Sequence, residues 1–390
     1  MNEILLGTIV FTSLIMALVL IIIGARAIIW GNKIIRITVN NDRIIEGILG
    51  EKLLSVLSQN DIHLPTSCGG AGTCALCQVN ISGTNDDGDR LACQFVVRED
   101  FNITVDQGQL SAKTWVCPVL KTRTLAPLIK EIVLDISTFD RGVISAGNYI
   151  LISAPAFKLS FSQIQIQSEY EPTWQRLGLR ALKAQSTDPQ TRAYSLVNRP
   201  DDKGVLILNI RLALAPGNAP DAPPGVVSSY LFGLTKGAEV EVTGPFGNFF
   251  VQDTDREMIF IGGGVGMAPL YAHVHDQLER LKTKRVIRYW YGARAQEDLY
   301  YAAEMETLAV RYENFSWHPV LSDPRPEDEW NGETGFIHEA VYRKYLSRHP
   351  APENCEYYLC GPPLMIQAVR TMLDKLGVPT DNVISDDFGT

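Results

Sequence analysis

Residues 68–77 read CGGAGTCALC, and a further cysteine, Cys93, follows at the end of the next predicted hairpin. The loop carries three thiols, Cys68, Cys74 and Cys77, in the spacing C-x5-C-x2-C. A plant-type 2Fe-2S cluster needs four thiolates, three of them on a loop that wraps the inorganic core. It also needs small residues, because backbone N–H groups must approach the sulfurs, and here glycine and alanine supply them. We therefore expect these four cysteines to bind a 2Fe-2S cluster.

Three other interpretations of the cysteine loop stay open at this point. A zinc site would favour paired C-x2-C knuckles or a mixed cysteine and histidine set, and the histidine near this loop is His63. A disulfide framework belongs in an oxidising compartment, whereas the charge pattern described next predicts that this loop lies in the cytoplasm. A turn that is rich in cysteine by chance is the third alternative. The ligand set and its spacing favour the iron–sulfur cluster.

The N-terminus carries an apolar run over residues 4–23, twenty positions without a charge. That length spans the hydrocarbon core of a bilayer as an α-helix. A cleaved signal peptide would have a basic start and a small-residue cleavage site, and a buried core helix would show an amphipathic stripe. Basic residues follow the run at Arg26, Lys33 and Arg36. By the positive-inside rule we expect residues 1–30 to form a single-pass transmembrane anchor, with the rest of the chain in the cytoplasm.

The length of 390 residues predicts roughly three further domains, and the net charge of −9 argues against a nucleic-acid partner. Residues 33–111 alternate as short strands around the cysteine loop, which predicts a small, mostly β unit. Residues 112–255 read as an antiparallel β-barrel, interrupted at 154–190 by a polar and aromatic insert that does not read as strands of the barrel. Residues 256–390 alternate strand and helix, which predicts a parallel sheet with flanking helices.

Two groups in the predicted barrel could hold a flavin. Arg192, Tyr194 and Ser195 offer a guanidinium fork for phosphate, an aromatic face for a flat ring and a hydroxyl for a ring nitrogen. A glycine and two hydroxyls follow at a predicted helix start, which is a favourable anion site; they are Gly225, Ser228 and Ser229. Each group alone also fits an ordinary strand end or helix start. The two groups gain weight because they occur in this order after a cluster loop.

A glycine-rich loop over residues 262–269 lies between an apolar strand and a predicted helix. This is the arrangement that seats a dinucleotide pyrophosphate at a helix N-terminus, and its key positions are Gly263, Gly264, Gly266 and Pro269. Cys360 and Gly361 follow another apolar strand, so we expect them at the same edge of the sheet. His273 and His275 stand two apart on the predicted helix. We expect both on its surface and neither as a metal ligand.

Several motifs, taken in order, resemble the ferredoxin–NADP reductase superfamily with a fused ferredoxin domain. They are the cysteine loop, RAYS at 192–195, GVVSS at 225–229, GPFG at 244–247, the glycine loop, YWYGAR at 289–294, CGPP at 360–363 and DDFG at 386–389. More narrowly, the apolar N-terminus, the insert and the C-terminal half resemble the family of F subunits of Na+-translocating NADH:quinone oxidoreductases. The hairpin departs from that family, since fifteen residues separate Cys77 from Cys93, fewer than is usual.

The resemblance implies a multidomain fold with a transmembrane helix, a β-grasp ferredoxin domain (α+β), an antiparallel β-barrel FAD domain and an α/β NADH-binding domain. It implies that FAD is held by Arg192, Tyr194, Ser195 and the Gly225–Ser229 loop, and NADH by the 263–269 loop and Gly361. It further implies that Ser195, Cys360 and Phe388 lie around the point of hydride transfer, with Phe388 stacked where the nicotinamide enters.

The function that the resemblance implies is an NADH-oxidising, electron-input subunit of a sodium-pumping NADH:quinone oxidoreductase. Hydride would pass from NADH to FAD, and single electrons to the 2Fe-2S cluster and onward to integral-membrane subunits in a bacterial inner membrane. One alternative is a membrane-tethered NADH-dependent reductase that feeds another acceptor, such as an oxygenase. Another is a scaffold protein whose redox sites are relics. NADH specificity comes from the resemblance alone.

Overall fold

The computed structural model describes residues 11–19, 33–66, 70, 72, 77–84, 86–105, 112–137, 144–215, 217, 219, 221–247 and 249–387. Residues 11–19 are helical, and residues 4–10 and 20–23 of the apolar run lie outside the described residues. Within the described part of the chain, no helix has both the length and the apolar character that a bilayer span requires. The chain divides into two compact units at Leu110–Ser111, with Pro65–Gly69 grouped with the second.

From residue 33 onward, the described part of the first unit is a five-stranded mixed sheet with one helix. Its strands lie in the order β2-β1-β5-β3-β4, and β1 runs parallel to β5 while the other pairs are antiparallel. The elements are β1 Ile34–Val39, β2 Arg43–Ile48, α1 Leu53–Gln59, β3 Gln78–Ser82, β4 Gly88–Leu91 and β5 Phe101–Thr104. Alternate residues of β1 are buried, as the two-residue period of a strand requires. This is the β-grasp arrangement that the resemblance implies.

The second unit contains a six-stranded antiparallel sheet in the order β11-β8-β13-β6-β7-β12. A bridge between Leu196 and Leu208 joins its two outer strands and closes the sheet into a barrel, which confirms the predicted architecture. The elements are β6 Lys113–Ala126, β7 Ile129–Asp135, β8 Asn148–Ala154, β11 Gln190–Ser195, β12 Val205–Arg211, α3 Val226–Gly233 and β13 Glu239–Gly247. Helix α3 packs into the core of the barrel through Val227, Leu231 and Phe232.

The chain between β8 and β11 forms a separate layer on the barrel. It contains β9 Phe157–Ser160, α2 Glu171–Arg176 and β10 Lys183–Ser186, and β9 and β10 pair only with each other among the described residues. Trp174 is fully buried, and its indole N–H donates to the carbonyl of Pro127 at 2.7 Å. Arg180 lies over the Trp174 ring and pairs with Glu171 at 2.5 Å, so the layer is held by packing as well as by ion pairing.

The remainder of the second unit is a six-stranded, all-parallel sheet in the order β17-β16-β15-β14-β18-β19, which confirms the prediction of a parallel sheet. Its elements are β14 Met258–Gly263, α4 Met267–His275, β15 Ile287–Ala293, α5 Ala302–Arg311, β16 Phe315–Leu321, β17 Glu333–Thr334, α6 Ile337–Lys344, β18 Glu356–Gly361, α7 Pro363–Lys375 and β19 Val383–Asp387. All residues of β14 are buried, as expected for a central strand covered on both faces.

Helix α4 corrects one prediction. Its nine residues are all buried, including His273 and His275, which we expected on the surface. The ring of His273 lies edge-on to Phe249, with 5.2 Å between the ring centroids, and stacks towards Phe260. The helix is therefore enclosed on every side. The prediction assumed that one face of the helix is exposed, and the spacing of the two histidines cannot test that assumption. Burial lowers the pKa of His273 to about 4, so its imidazole is neutral.

Candidate functional site

The cysteine loop is partly described. Cys68 and Cys74 lie outside the described residues, while Cys77 and Cys93 are both buried on the hairpin that β3 and β4 form. The carbonyl of Cys77 accepts a hydrogen bond from the N–H of Ala92 at 2.9 Å, so this pairing fixes the backbone just before Cys93 against that of Cys77.

Gln94 places an amide donor beside the second of these thiols. Its Nε2 lies 3.5 Å from Cys93 Sγ and donates to the carbonyl of Gly70 at 3.1 Å. Gly72 has a φ of +85°, and a Cβ there would lie 2.8 Å from the Gln94 amide nitrogen. Buried thiols, an N–H donor at a sulfur and glycine where a side chain would collide are what an iron–sulfur cluster requires. The described residues therefore fit the cluster.

The first flavin group lies on β11. The Arg192 guanidinium donates to the carbonyl of Thr191 at 2.7 Å. Tyr194 and Arg192 are half-buried, and burial raises the pKa of the Tyr194 phenol, which therefore stays neutral. Ser195 is buried at the end of the strand. The three residues thus lie close together on one strand of the barrel.

The second flavin group is a close-packed helix start. A Cβ at Gly225 would lie 2.8 Å from the Cβ of Ala213 and 2.9 Å from Ser228 Oγ, so the position requires glycine. The Ser228 hydroxyl is used within this turn, since it donates to the carbonyl of Gly225 at 3.0 Å and accepts from the Ala213 N–H at 3.2 Å. Ser229 Oγ is fully buried and has no hydrogen-bond partner among the described residues. The first N–H groups of α3 lack intrahelical acceptors, so this glycine-led helix start fits a bound phosphate of a flavin nucleotide.

The glycine loop joins β14 to α4 at the carboxyl edge of the parallel sheet. Gly266 packs so closely on β18 that a Cβ there would lie 1.9 Å from the carbonyl oxygen of Cys360. Gly264 has a φ of +55°, in the left-handed region that favours glycine. Gly263 ends β14, and Pro269 lies in the first turn of α4, where a missing N–H costs nothing. The loop therefore presents backbone to the crevice rather than side chains.

A fourth group joins the barrel to the parallel sheet at one point. Ser195 Oγ donates to Asp386 Oδ2 at 3.0 Å, and Asp386 is paired across the β18–β19 ladder with Cys360. Gly361 follows Cys360 at the end of β18 with its backbone against Gly263, since a Cβ at Gly361 would lie 2.9 Å from the Gly263 carbonyl oxygen. The structure thus brings together Ser195, Cys360 and the glycine loop.

Asp386 is a residue of this site that the sequence reasoning missed. Asp386 carried no predicted role, although it stands in the C-terminal motif and at the end of an apolar strand, where ligand-facing residues collect. Cys360 is fully buried with its side chain in the core cluster around Phe260 and Tyr289, so its carbonyl, rather than an exposed thiol, lies against the glycine loop. Phe388, the third residue expected at the point of hydride transfer, lies outside the described residues.

Comparison with known protein families divides the chain in the same order as the motifs. Residues 37–98 match a 2Fe-2S iron-sulfur cluster binding domain, residues 172–251 an oxidoreductase FAD-binding domain, and residues 260–371 an oxidoreductase NAD-binding domain. The three matches agree with the predicted cofactors, namely a 2Fe-2S cluster, FAD and NADH.

Solved structures share the fold at low sequence identity. The Amycolatopsis cytochrome P450 reductase GcoB superposes with a TM-score of 0.64 at 23% identity, covering 91% of this chain and 98% of that one. The ferredoxin reductase in carbazole 1,9a-dioxygenase gives a TM-score of 0.59 at 23% identity, with the same coverage. These similarities concern the fold alone.

Curated relatives are far more similar in sequence. The F subunit of Na(+)-translocating NADH-quinone reductase in Methylococcus capsulatus is 42% identical over 406 residues and is covered, like this chain, to 100%. The protein of the same name in a Marinomonas species is 41% identical over 403 residues, with 99% of each chain covered. The chain therefore belongs to the family of the F subunit of Na(+)-translocating NADH-quinone reductase.

Proposed function

We propose that the chain is the NADH-oxidising, electron-input subunit of a sodium-pumping NADH:quinone oxidoreductase. The observation that carries the proposal is the hydrogen bond between Ser195 and Asp386, which joins the end of a flavin-barrel strand to the carboxyl edge of the nucleotide sheet. A flavin ring that lies against Ser195 and a nicotinamide that enters at Cys360 and Gly361 would meet there. The bound flavin supplies the chemistry, taking two electrons with a hydride from NADH and releasing electrons one at a time.

The residues of the chain bind and orient the two nucleotides. Arg192 and the start of α3 hold phosphate, and Tyr194 supplies a neutral aromatic surface for the flavin ring. The Ser195 hydroxyl donates a hydrogen bond to Asp386, so the lone pairs of its oxygen remain available to accept one from a ring N–H. The glycine loop holds the pyrophosphate of NADH with backbone N–H groups. In this proposal Phe388 covers the nicotinamide entrance and Cys360 packs beneath it.

The iron–sulfur cluster is the electron exit in this scheme, with Cys68, Cys74, Cys77 and Cys93 as its ligands. Gln94 supports it through an amide N–H directed at sulfur. The electrons then leave for a partner protein of the complex. Hydrogen bonds to cluster sulfurs help to set the reduction potential, so the amide of Gln94 at Cys93 is one way in which the protein tunes it.

We propose further that residues 1–30 anchor the chain in a bacterial inner membrane as a single span, with the domains in the cytoplasm and integral-membrane subunits as partners. The charge-free run at 4–23 and the basic residues Arg26, Lys33 and Arg36 support this orientation. The relatives described above carry Na(+)-translocating NADH-quinone reductase in their names, which fits a membrane complex.

The experiment is a deletion of this chain from its own cells. Membranes without it should lose NADH-dependent quinone reduction and NADH-driven sodium uptake, and both should return when the wild-type chain is supplied. Membranes that retain both activities would contradict the proposal. Loss of an oxygenase activity, with quinone reduction intact, would favour the alternative of a reductase that feeds another acceptor.

A further inference from the structure

The carbonyl oxygen of Gly264 accepts hydrogen bonds from two buried phenols. Tyr291 Oη lies 2.9 Å from this oxygen and Tyr300 Oη lies 3.0 Å from it. The backbone N–H of Met267 also donates to it, as the first turn of the helix closes. A carbonyl has two lone pairs, which the two phenols fill, and the Met267 N–H is shared between this oxygen and that of Val265. The peptide that begins at Gly264 is therefore held unusually firmly.

The two phenols reach this oxygen from different elements. Tyr291 stands on β15, paired with Gly262 of β14, and Tyr300 lies just before α5. Tyr291 is fully buried and Tyr300 is 4% exposed, with their rings edge to face. Burial raises the pKa of both hydroxyls, so each keeps the proton that it donates. Two independent elements have thus placed a donor at one backbone atom.

The geometry of a peptide determines what this fixing achieves. The carbonyl and the N–H of a trans peptide point in opposite directions. Because the Gly264 carbonyl points inward to the two phenols, the N–H of Val265 points away from them, out of the core. Gly264 and Val265 are both half-exposed, whereas Gly263 and Gly266 on either side are buried. The N–H of Val265 lies at the helix start, where an anion is favoured.

Gly264 needs this support because its backbone would otherwise be mobile. It has a φ of +55°, and a Cβ placed there would meet nothing within 4 Å. Space is therefore not what requires glycine; the left-handed conformation is. Glycine loses more conformational freedom on ordering than any other residue, so a loop made of glycine gains most from an external restraint. The phenols supply that restraint before the ligand arrives.

We infer that Tyr291 and Tyr300 are positioning residues for NADH, whose hydroxyls fix the Gly264–Val265 peptide so that its N–H faces the pyrophosphate of the dinucleotide. The inference rests on the proposed function, since it assigns these residues to the same nucleotide site. The two tyrosines touch neither the dinucleotide nor the flavin in this scheme. They act through the backbone, by ordering the loop in advance.

The test uses Tyr291→Phe and Tyr300→Phe in the full-length, flavin-loaded chain. ADP-ribose binding is measured by calorimetry, and flavin reduction by NADH is followed in a rapid-mixing instrument. Each variant should bind ADP-ribose about threefold to tenfold more weakly, the value of one lost hydrogen bond. The limiting rate of flavin reduction at saturating NADH should stay within about twofold of wild type, since the variants lose only the ordering of the loop before NADH binds.

Tyr357→Phe is the matched control, because its buried hydroxyl also donates to a backbone carbonyl, that of Pro352 at 2.8 Å, but at the opposite end of β18. It should bind ADP-ribose like wild type. The inference would be overturned if Tyr291→Phe and Tyr300→Phe both fold and bind ADP-ribose with wild-type affinity. It would also be overturned if the control binds as weakly as they do. If one of the two tyrosine variants does not fold, the other carries the test. A wild-type chain that does not bind ADP-ribose would instead contradict the proposed function.

Discussion

Ser195 and Asp386 are separated by nearly half of the chain, and the hydroxyl of the first donates to the carboxylate of the second at 3.0 Å. The first ends β11 of the barrel and the second lies in β19 of the parallel sheet. Through this hydrogen bond the two cofactor-binding halves of the second unit meet at the proposed point of hydride transfer.

Removal of the Ser195 hydroxyl should slow flavin reduction. Ser195→Ala is expected to reduce the rate at saturating NADH about tenfold, since one oriented hydrogen bond is worth roughly a factor of ten. Asp386→Ala should behave similarly, whereas Asp386→Asn keeps an acceptor oxygen and should lose less. Ser153→Ala, which deletes a hydroxyl paired with Thr191 at 3.0 Å elsewhere in the barrel, is the control. Equal rates in Ser195→Ala and Ser153→Ala would contradict the assignment.

Gly266→Ala should abolish NADH binding while flavin remains bound. The added methyl group would lie 1.9 Å from the Cys360 carbonyl oxygen, a backbone atom that cannot move aside alone. The loop must shift, and a shift of this size removes its N–H groups from the pyrophosphate. Affinity is measured by calorimetry with ADP-ribose, which carries the pyrophosphate of NADH but cannot reduce the flavin. Gly217→Ala, where a Cβ meets nothing within 4 Å, should retain wild-type affinity. Unchanged ADP-ribose affinity in Gly266→Ala would show that the loop is not the pyrophosphate site.

Gln94→Leu should lower the reduction potential of the cluster. Hydrogen bonds to cluster sulfurs stabilise the more negative, reduced state, and Gln94 Nε2 lies 3.5 Å from Cys93 Sγ. Loss of one such bond is expected to shift the potential by about 20 to 60 mV, from the net value of a hydrogen bond and a one-electron couple. The potential is measured by redox titration followed by electron paramagnetic resonance. Gln59→Leu, on the exposed end of α1, should leave it unchanged. A potential that does not move, or that rises, would count against this hydrogen bond.

His273 should make the protein less stable in mild acid. Burial lowers its pKa to about 4 in the folded state, compared with the ordinary value of 6.5. The unfolded chain therefore binds the proton first as pH falls, so this contribution to stability is present above pH 6.5 and is lost progressively towards pH 4. The loss is on the order of 3 kcal/mol. His273→Gln should show a shallower decline of melting temperature between pH 7 and pH 5. An identical pH slope in the variant would mean that another group is responsible.

The sequence predicted the architecture because its signals are periodic and local. Alternating burial in β1, the charge-free β14 and the strand–glycine loop–helix order at 262–269 each follow from short-range patterns. The candidate cofactor-binding groups were also readable, since RAYS at 192–195 and GVVSS at 225–229 are short motifs. Both kinds of signal lie within a few residues of one another.

The features that the sequence did not predict depend on contacts between distant segments. Asp386 meets Ser195 only after segments 191 residues apart are placed side by side, and the two phenols reach Gly264 across 27 and 36 residues. The burial of His273 has the same origin. Other elements enclose α4 on all sides, and the two-residue spacing of His273 and His275 carries no information about them. The layer at 157–186 was recognisable as an insert, but its contact with the nucleotide sheet was not. There Thr173 donates to Glu297 at 2.9 Å.

The central claim is that electrons pass from NADH to a flavin and from there to a separate cluster, and Cys93→Ala tests it most directly. The full-length variant is mixed rapidly with NADH. Flavin absorbance and the electron paramagnetic resonance signal of the cluster are both recorded. We expect the wild-type rate of flavin reduction and of ferricyanide reduction, with no cluster signal and loss of iron. Collapse of flavin reduction in a folded, flavin-containing variant, or a persistent wild-type cluster signal, would contradict this claim.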